Sequence, residues 1–98
     1  MAEKEPTYKL PPNEVWAHLA KLSIVDDKPI MLDYWTDSLE KKVLIGLRKE
    51  TEEKLLVKNA EEYTSPVSKI YRAHGCYIIC TENSIYLVSG DIPTKYIN

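Results

Sequence analysis

The amino-acid sequence predicts an α+β domain, a mainly antiparallel sheet of four or five strands flanked by two helices in the order α-β-β-β-α-β-β. Three observations carry this reading. Val15, Trp16, Leu19, Ala20 and Leu22 recur at three- and four-residue steps, which places them on one face of a helix. Val43, Ile45 and Leu47 alternate with Lys42, Gly46 and Arg48, Leu44 being the exception, as in a half-buried strand. Residues 76–80, Cys-Tyr-Ile-Ile-Cys, are apolar on both faces, the mark of a strand inside a sheet covered on both sides.

A chain of 98 residues with 44% hydrophobic content can bury one core but not two. One domain is therefore expected over residues 12–90. Residues 1–11, charged and proline-bearing, read as a loosely docked N-terminal arm, and residues 91–98 as a C-terminal tail.

The first helix opens at Pro11-Pro12-Asn13, with Glu14, His18 and Lys21 facing water, and ends at Asp26-Asp27-Lys28-Pro29. Ile30 to Trp35 is short, aromatic-rich and bounded by Pro29 and by Thr36-Asp37-Ser38, which predicts a strand. Lys41 to Arg48 and Lys54 to Lys58, joined by the polar turn Glu50 to Glu53, complete a three-stranded antiparallel meander. Ser65-Pro66 has helix-start chemistry, Gly75 stands where a helix-terminating glycine belongs, and Val67, Ile70, Tyr71 and His74 fall at i, i+3, i+4 and i+7. A second helix is expected there, with His74 near its C-terminus. Cys76 to Thr81 and Ile85 to Val88 then form a closing strand pair around Glu82-Asn83-Ser84.

Cys76 and Cys80 lie about 13 Å apart along one strand, too far for a disulfide. Two buried thiols are expected, and with only His18 and His74 as further soft ligands no metal site or cofactor is expected. No apolar run reaches the roughly 20 residues that span a bilayer, and the polar start lacks a signal-peptide apolar region. The expected location is cytoplasmic, without membrane contact. Thirteen Lys+Arg against fifteen Asp+Glu give a net charge of -2, so long-range attraction of nucleic acid is not expected. Charge is carried mainly by Lys and Glu, Gln is absent and only Arg48 and Arg72 are arginines, a thermophile-like composition.

The element order, with Leu55-Leu56-Val57-Lys58-Asn59, a short acidic stretch, the Ser-capped helix and Gly75 to Thr81, resembles the restriction-endonuclease-like core, the PD-(D/E)XK nuclease fold. The resemblance implies that Lys58 matches the motif lysine. It places the metal-binding carboxylate at Leu56, and the second one on the preceding strand, among Leu44, Ile45 and Gly46. Two carboxylates hold the Mg²⁺ that activates water in such chemistry. With neither in place, the resemblance implies a degenerate, inactive member.

The expected function is a non-catalytic small interaction protein or accessory subunit that binds another protein, within nucleic-acid-processing machinery, with a homodimer open as an oligomeric state. Met31 and Trp35 are the candidate anchors, since tryptophan is enriched at interface centres. A second expectation is direct nucleic-acid binding through Lys42, Arg48, Lys54 and Lys58, with Tyr63 or Tyr71 nearby, if alternation gathers these cations on one sheet face. The third is a divergent metal-dependent nuclease drawing its carboxylates from Asp33 or Glu53. Asp33, mid-strand between Leu32 and Tyr34, is the candidate buried acid or base, against a solvent-facing alternative.

Overall fold

The computed structural model describes residues 10–97. Its elements run α1 (Asn13–Asp26), β1 (Ile30–Met31), α2 (Trp35–Leu39), β2 (Leu44–Arg48), β3 (Lys54–Val57), β4 (Val67–Ala73), β5 (Cys76–Thr81), β6 (Ile85–Ser89) and β7 (Thr94–Ile97). The α+β class and the mostly antiparallel pairing are as expected, but the strands form two sheets. A central sheet has the order β1-β6-β5-β4 and an outer sheet the order β3-β2-β7. Of the expected arm, residues 1–9 lie outside the described residues.

Alternation along β5 explains the layering. Cys76, Ile78 and Cys80 join Val15, Leu19, Trp35, Ile85 and Leu87 in one buried cluster, with α1 on that side. Ile79 turns the other way, joining Val43, Ile45, Leu56, Val88, Ile92 and Tyr34 in a second cluster. The central sheet is thus covered by helix on one face and by the outer sheet on the other, as its apolar run requires. Cys76 and Cys80 are both buried on the helix side, and burial pushes the Cys80 thiol up, with Asp26 adding to the shift.

The helix predicted over residues 66–75 is instead strand β4, antiparallel to β5. A bulge accounts for the misleading spacing. Val67 pairs with Thr81 and Lys69 with Cys80, so Ser68 is an extra residue on β4. The bulge brings Val67 and Ile70, three apart, onto the same face, where both pack on the second cluster. A three-residue step therefore mimics helical periodicity. Gly75 also has a second meaning. His74 (φ 52°) and Gly75 (φ 78°) both occupy the left-handed region, as a two-residue hairpin turn of the primed kind demands. His74 sits at a hairpin tip and caps no helix.

The predicted strand Ile30–Trp35 is cut to Ile30–Met31, which pairs parallel to β6 in the register Ile30↔Ile85 and Met31↔Tyr86. The chain then turns, with the Trp35 N–H donating to the Leu32 carbonyl (3.1 Å), and enters the single-turn helix α2. Trp35 and Leu39, four apart, share the face turned to the first cluster. The segment expected as a tail contributes β7, parallel to β2 in the register Ile45↔Thr94 to Arg48↔Ile97.

Ser38 fastens α2 to the central sheet. Its fully buried hydroxyl donates to the Trp35 carbonyl (2.6 Å) and accepts from the Ser89 N–H (2.9 Å). Ser38→Ala leaves that N–H without this acceptor in the interior. A loss of about 1–3 kcal/mol is expected in denaturant unfolding.

Candidate functional site

The predicted basic patch assembles only in part: Arg48 and Lys54 line one pocket with Lys49, Glu52 and Tyr96, whereas Lys42 and Lys58 lie elsewhere. The register Leu47↔Lys54 and Ile45↔Leu56 places Lys54 on the inner face of the outer sheet with Ile45 and Leu56, whereas Arg48 lies on the opposite, outward face with Gly46 and Leu55. Lys42 precedes β2 and pairs with Glu40 at 3.0 Å, a contact that also raises its pKa. Lys58 is drawn inward. Its Nζ donates to the Asp33 carbonyl (3.2 Å), lies 3.6 Å from the Asp37 carboxylate and sits 4.6 Å from the centre of the Tyr34 ring. That lysine therefore joins the end of β3 to α2.

The same contacts bear on the nuclease reading. Leu56 is fully buried in the second cluster, so the position of the motif carboxylate is core. Asp33 is an exposed turn residue at the entrance to α2, not a mid-strand acid. Its carbonyl is bonded to Lys58, while Glu53 precedes Lys54 at the other end of β3, five residues or about 16 Å along an extended chain. Asp33 and Glu53 are held apart by the strand between them.

Neither proposed interface anchor is an exposed side chain. Trp35 is 8% exposed and belongs to the first cluster, and Met31 is half-buried in β1. Among the described residues the exposed tyrosines lie elsewhere, at Tyr63, Tyr71 and Tyr96. Lys49 lies over the Tyr96 ring at 5.4 Å from its centre.

The Tyr34 ring on which Lys58 rests is itself buried. The ring meets Tyr86 edge-on at 5.4 Å between centres. Burial, followed by Tyr86, Asp33 and Glu62, pushes its phenol up to about 12. A folded-state value above the unfolded value of 10.0 means that the folded chain holds the proton longer. The associated stability is fully present below pH 10 and is lost as pH rises toward 12. Alkaline unfolding in that window is expected, with a loss on the order of 2 kcal/mol. Tyr34→Phe should flatten the decline, as followed by circular dichroism beside tyrosinate absorbance.

The fold also assembles a groove on the outward face of the outer sheet. It is lined by Leu55, Val57, Ala60, Tyr63 and Ile97, with Arg48 and Asn59 at its edge. Leu55 is the buried floor and Tyr63 stands 54% exposed as a wall. Gly46 is needed beneath it, since a Cβ there would meet Ile97 Cδ1 at 2.7 Å and Val57 Cγ2 at 3.0 Å. Residues 59–64 are held firmly against β3. The Asn59 side-chain oxygen accepts from the Glu61 and Glu62 N–H groups (2.8 and 2.9 Å). Tyr63 bridges to Val57, the Thr64 N–H donates to the Leu56 carbonyl (2.9 Å), and the Leu56 N–H donates to the Thr64 hydroxyl (3.1 Å). The β3 edge is thereby covered. Among the described residues, nothing pairs with the other edge of β7. Lys95, exposed and opposite Gly46 in register, shares the groove's face.

Sequence reasoning did not find this site. The signals were present in Pro93 followed by the β-prone Thr-Lys-Tyr-Ile, and in Tyr63 just before the Thr64 that returns to β3. No family model, curated protein sequence or solved structure matches the chain.

Proposed function

We propose that the chain is a protein-binding module whose groove on the outer sheet receives an extended segment of another protein. The observation that carries this reading is the apolar groove of Leu55, Val57, Ala60, Tyr63 and Ile97 beside the open edge of β7. Strand addition supplies main-chain hydrogen bonds at such an edge, and alternate side chains of the added segment enter the pocket beside it. Arg48 in the groove's lining and Lys95 on the same sheet face bring positive charge to it on a chain of net charge -2. The partner segment that fits is therefore apolar with flanking carboxylates. An accessory subunit acts in this way without chemistry of its own.

Capture from native extract tests the reading with three proteins: the unaltered chain, Tyr63→Glu, and Arg48→Glu with Lys95→Glu. One partner should be retained by the first and lost from both variants, each still folded by circular dichroism. Retention of the same partner by both variants overturns the proposal. So does salt-sensitive retention of nucleic acid alone, or a dimer that Tyr63→Glu converts to monomer, which would assign the groove to a second copy.

A further inference from the structure

We propose that His18 and His74 form a binding site for a divalent first-row transition-metal ion, held by two imidazoles between α1 and the β4–β5 turn. The ring centres are 5.7 Å apart and the planes are tilted by 45°, so the rings are not stacked. A metal about 2.1 Å from each nitrogen, with each ring centre roughly 1 Å further back, separates two ligating rings by about 5–6 Å near a tetrahedral angle. The observed separation matches that spacing.

Each histidine is positioned by an element with other reasons to be where it is. His18 follows Val15 by three residues and precedes Leu19, both fully buried, so it lies at the margin of the stripe that docks α1 on the central sheet. His74 is the first residue of the tight turn, and its left-handed backbone is set by the β4–β5 pairing on either side. The turn is tied down by the Gly90 N–H donating to the Gly75 carbonyl (2.9 Å). Both imidazoles are exposed, so an ion can reach them from solvent. Among the described residues, no group of three or more His, Cys, Asp and Glu gathers. The site is therefore a two-imidazole one whose remaining positions are filled by water. Imidazole pairs select Zn²⁺, Ni²⁺ and Cu²⁺ over Mg²⁺, which prefers oxygen ligands. Bound there, the ion links the helix layer to a hairpin tip of the central sheet.

Thermal unfolding with Zn²⁺ alone as the probe tests the site, with Mg²⁺ as control. Because an ion that binds only the folded chain stabilises it by mass action, Tm should rise by roughly 5 °C or more at ten times the dissociation constant. Mg²⁺ should give no rise. His18→Ala changes an exposed helical position, and His74→Asn keeps a residue that tolerates the left-handed turn. Both variants should fold, and each should abolish the zinc-dependent rise. Absence of a rise in the unaltered chain, or a rise that either variant retains, overturns the proposal.

Discussion

Leu56→Asp is expected to unfold the protein. The side chain is fully buried among Ile45, Val43, Tyr34 and Ile79, and a carboxylate there loses its hydration without gaining a designed partner. Lys58, two residues on, is already occupied by the Asp33 carbonyl, the Asp37 carboxylate and the Tyr34 ring. The penalty for an unpaired buried charge is at least about 4 kcal/mol, comparable with the total stability of a small domain. Circular dichroism and a loss of cooperative melting provide the measurement. This substitution installs the motif carboxylate that the nuclease likeness would require. A folded Leu56→Asp variant that gained Mn²⁺ binding would show that the position is a vacated metal site and not core.

Trp35→Ala has the second-largest expected effect. Trp35 packs against Val15, Leu19, Ile85 and Leu87, where α1, α2 and the central sheet meet. Truncating a buried tryptophan to alanine removes about 3–5 kcal/mol of stability through lost burial and the cavity left behind. In a domain of this size Tm should fall by more than about 10 °C. Were Trp35 a surface anchor, the same change would leave Tm nearly unaltered and abolish only partner capture. The two roles separate in one pair of measurements, melting and capture on the same preparation.

Helix α1 and β2 could be read from the amino acids because each repeats its period, and β3, β5 and β6 because short apolar runs are bounded by polar turns. At β5, apolar residues on both faces even announced the two-sided burial. The bulge at Ser68 gave β4 a three-residue step, and Gly75 serves a hairpin turn as readily as a helix end, since both need a left-handed backbone. Helix α2 is a single turn, too short to show periodicity, so alternation over residues 30–35 puts Trp35 on the outward face of a strand. Strand β7 pairs in parallel with a strand far away in sequence, and no local pattern records such a partner.

The candidate site suffered from the same limits. Alternation alone grouped Arg48 with Lys54 and Lys58, but cross-strand register assigns them to opposite faces. The groove draws on β2, β3, the 59–63 loop and β7, so it exists only once the outer sheet is assembled. Its chemistry was visible only as scattered apolar and aromatic residues.

The groove is tested most directly by lysine cross-linking and mass spectrometry of the chain bound to its captured partner. Lys95 lies on the groove's face, whereas Lys21 is on the exposed side of α1 and Lys69 is on the β4 edge. The predicted result is inter-protein cross-links concentrated at Lys95, and their loss in Tyr63→Glu. Cross-links confined to Lys21 and Lys69 would contradict it and assign binding to the opposite layer or the other sheet edge.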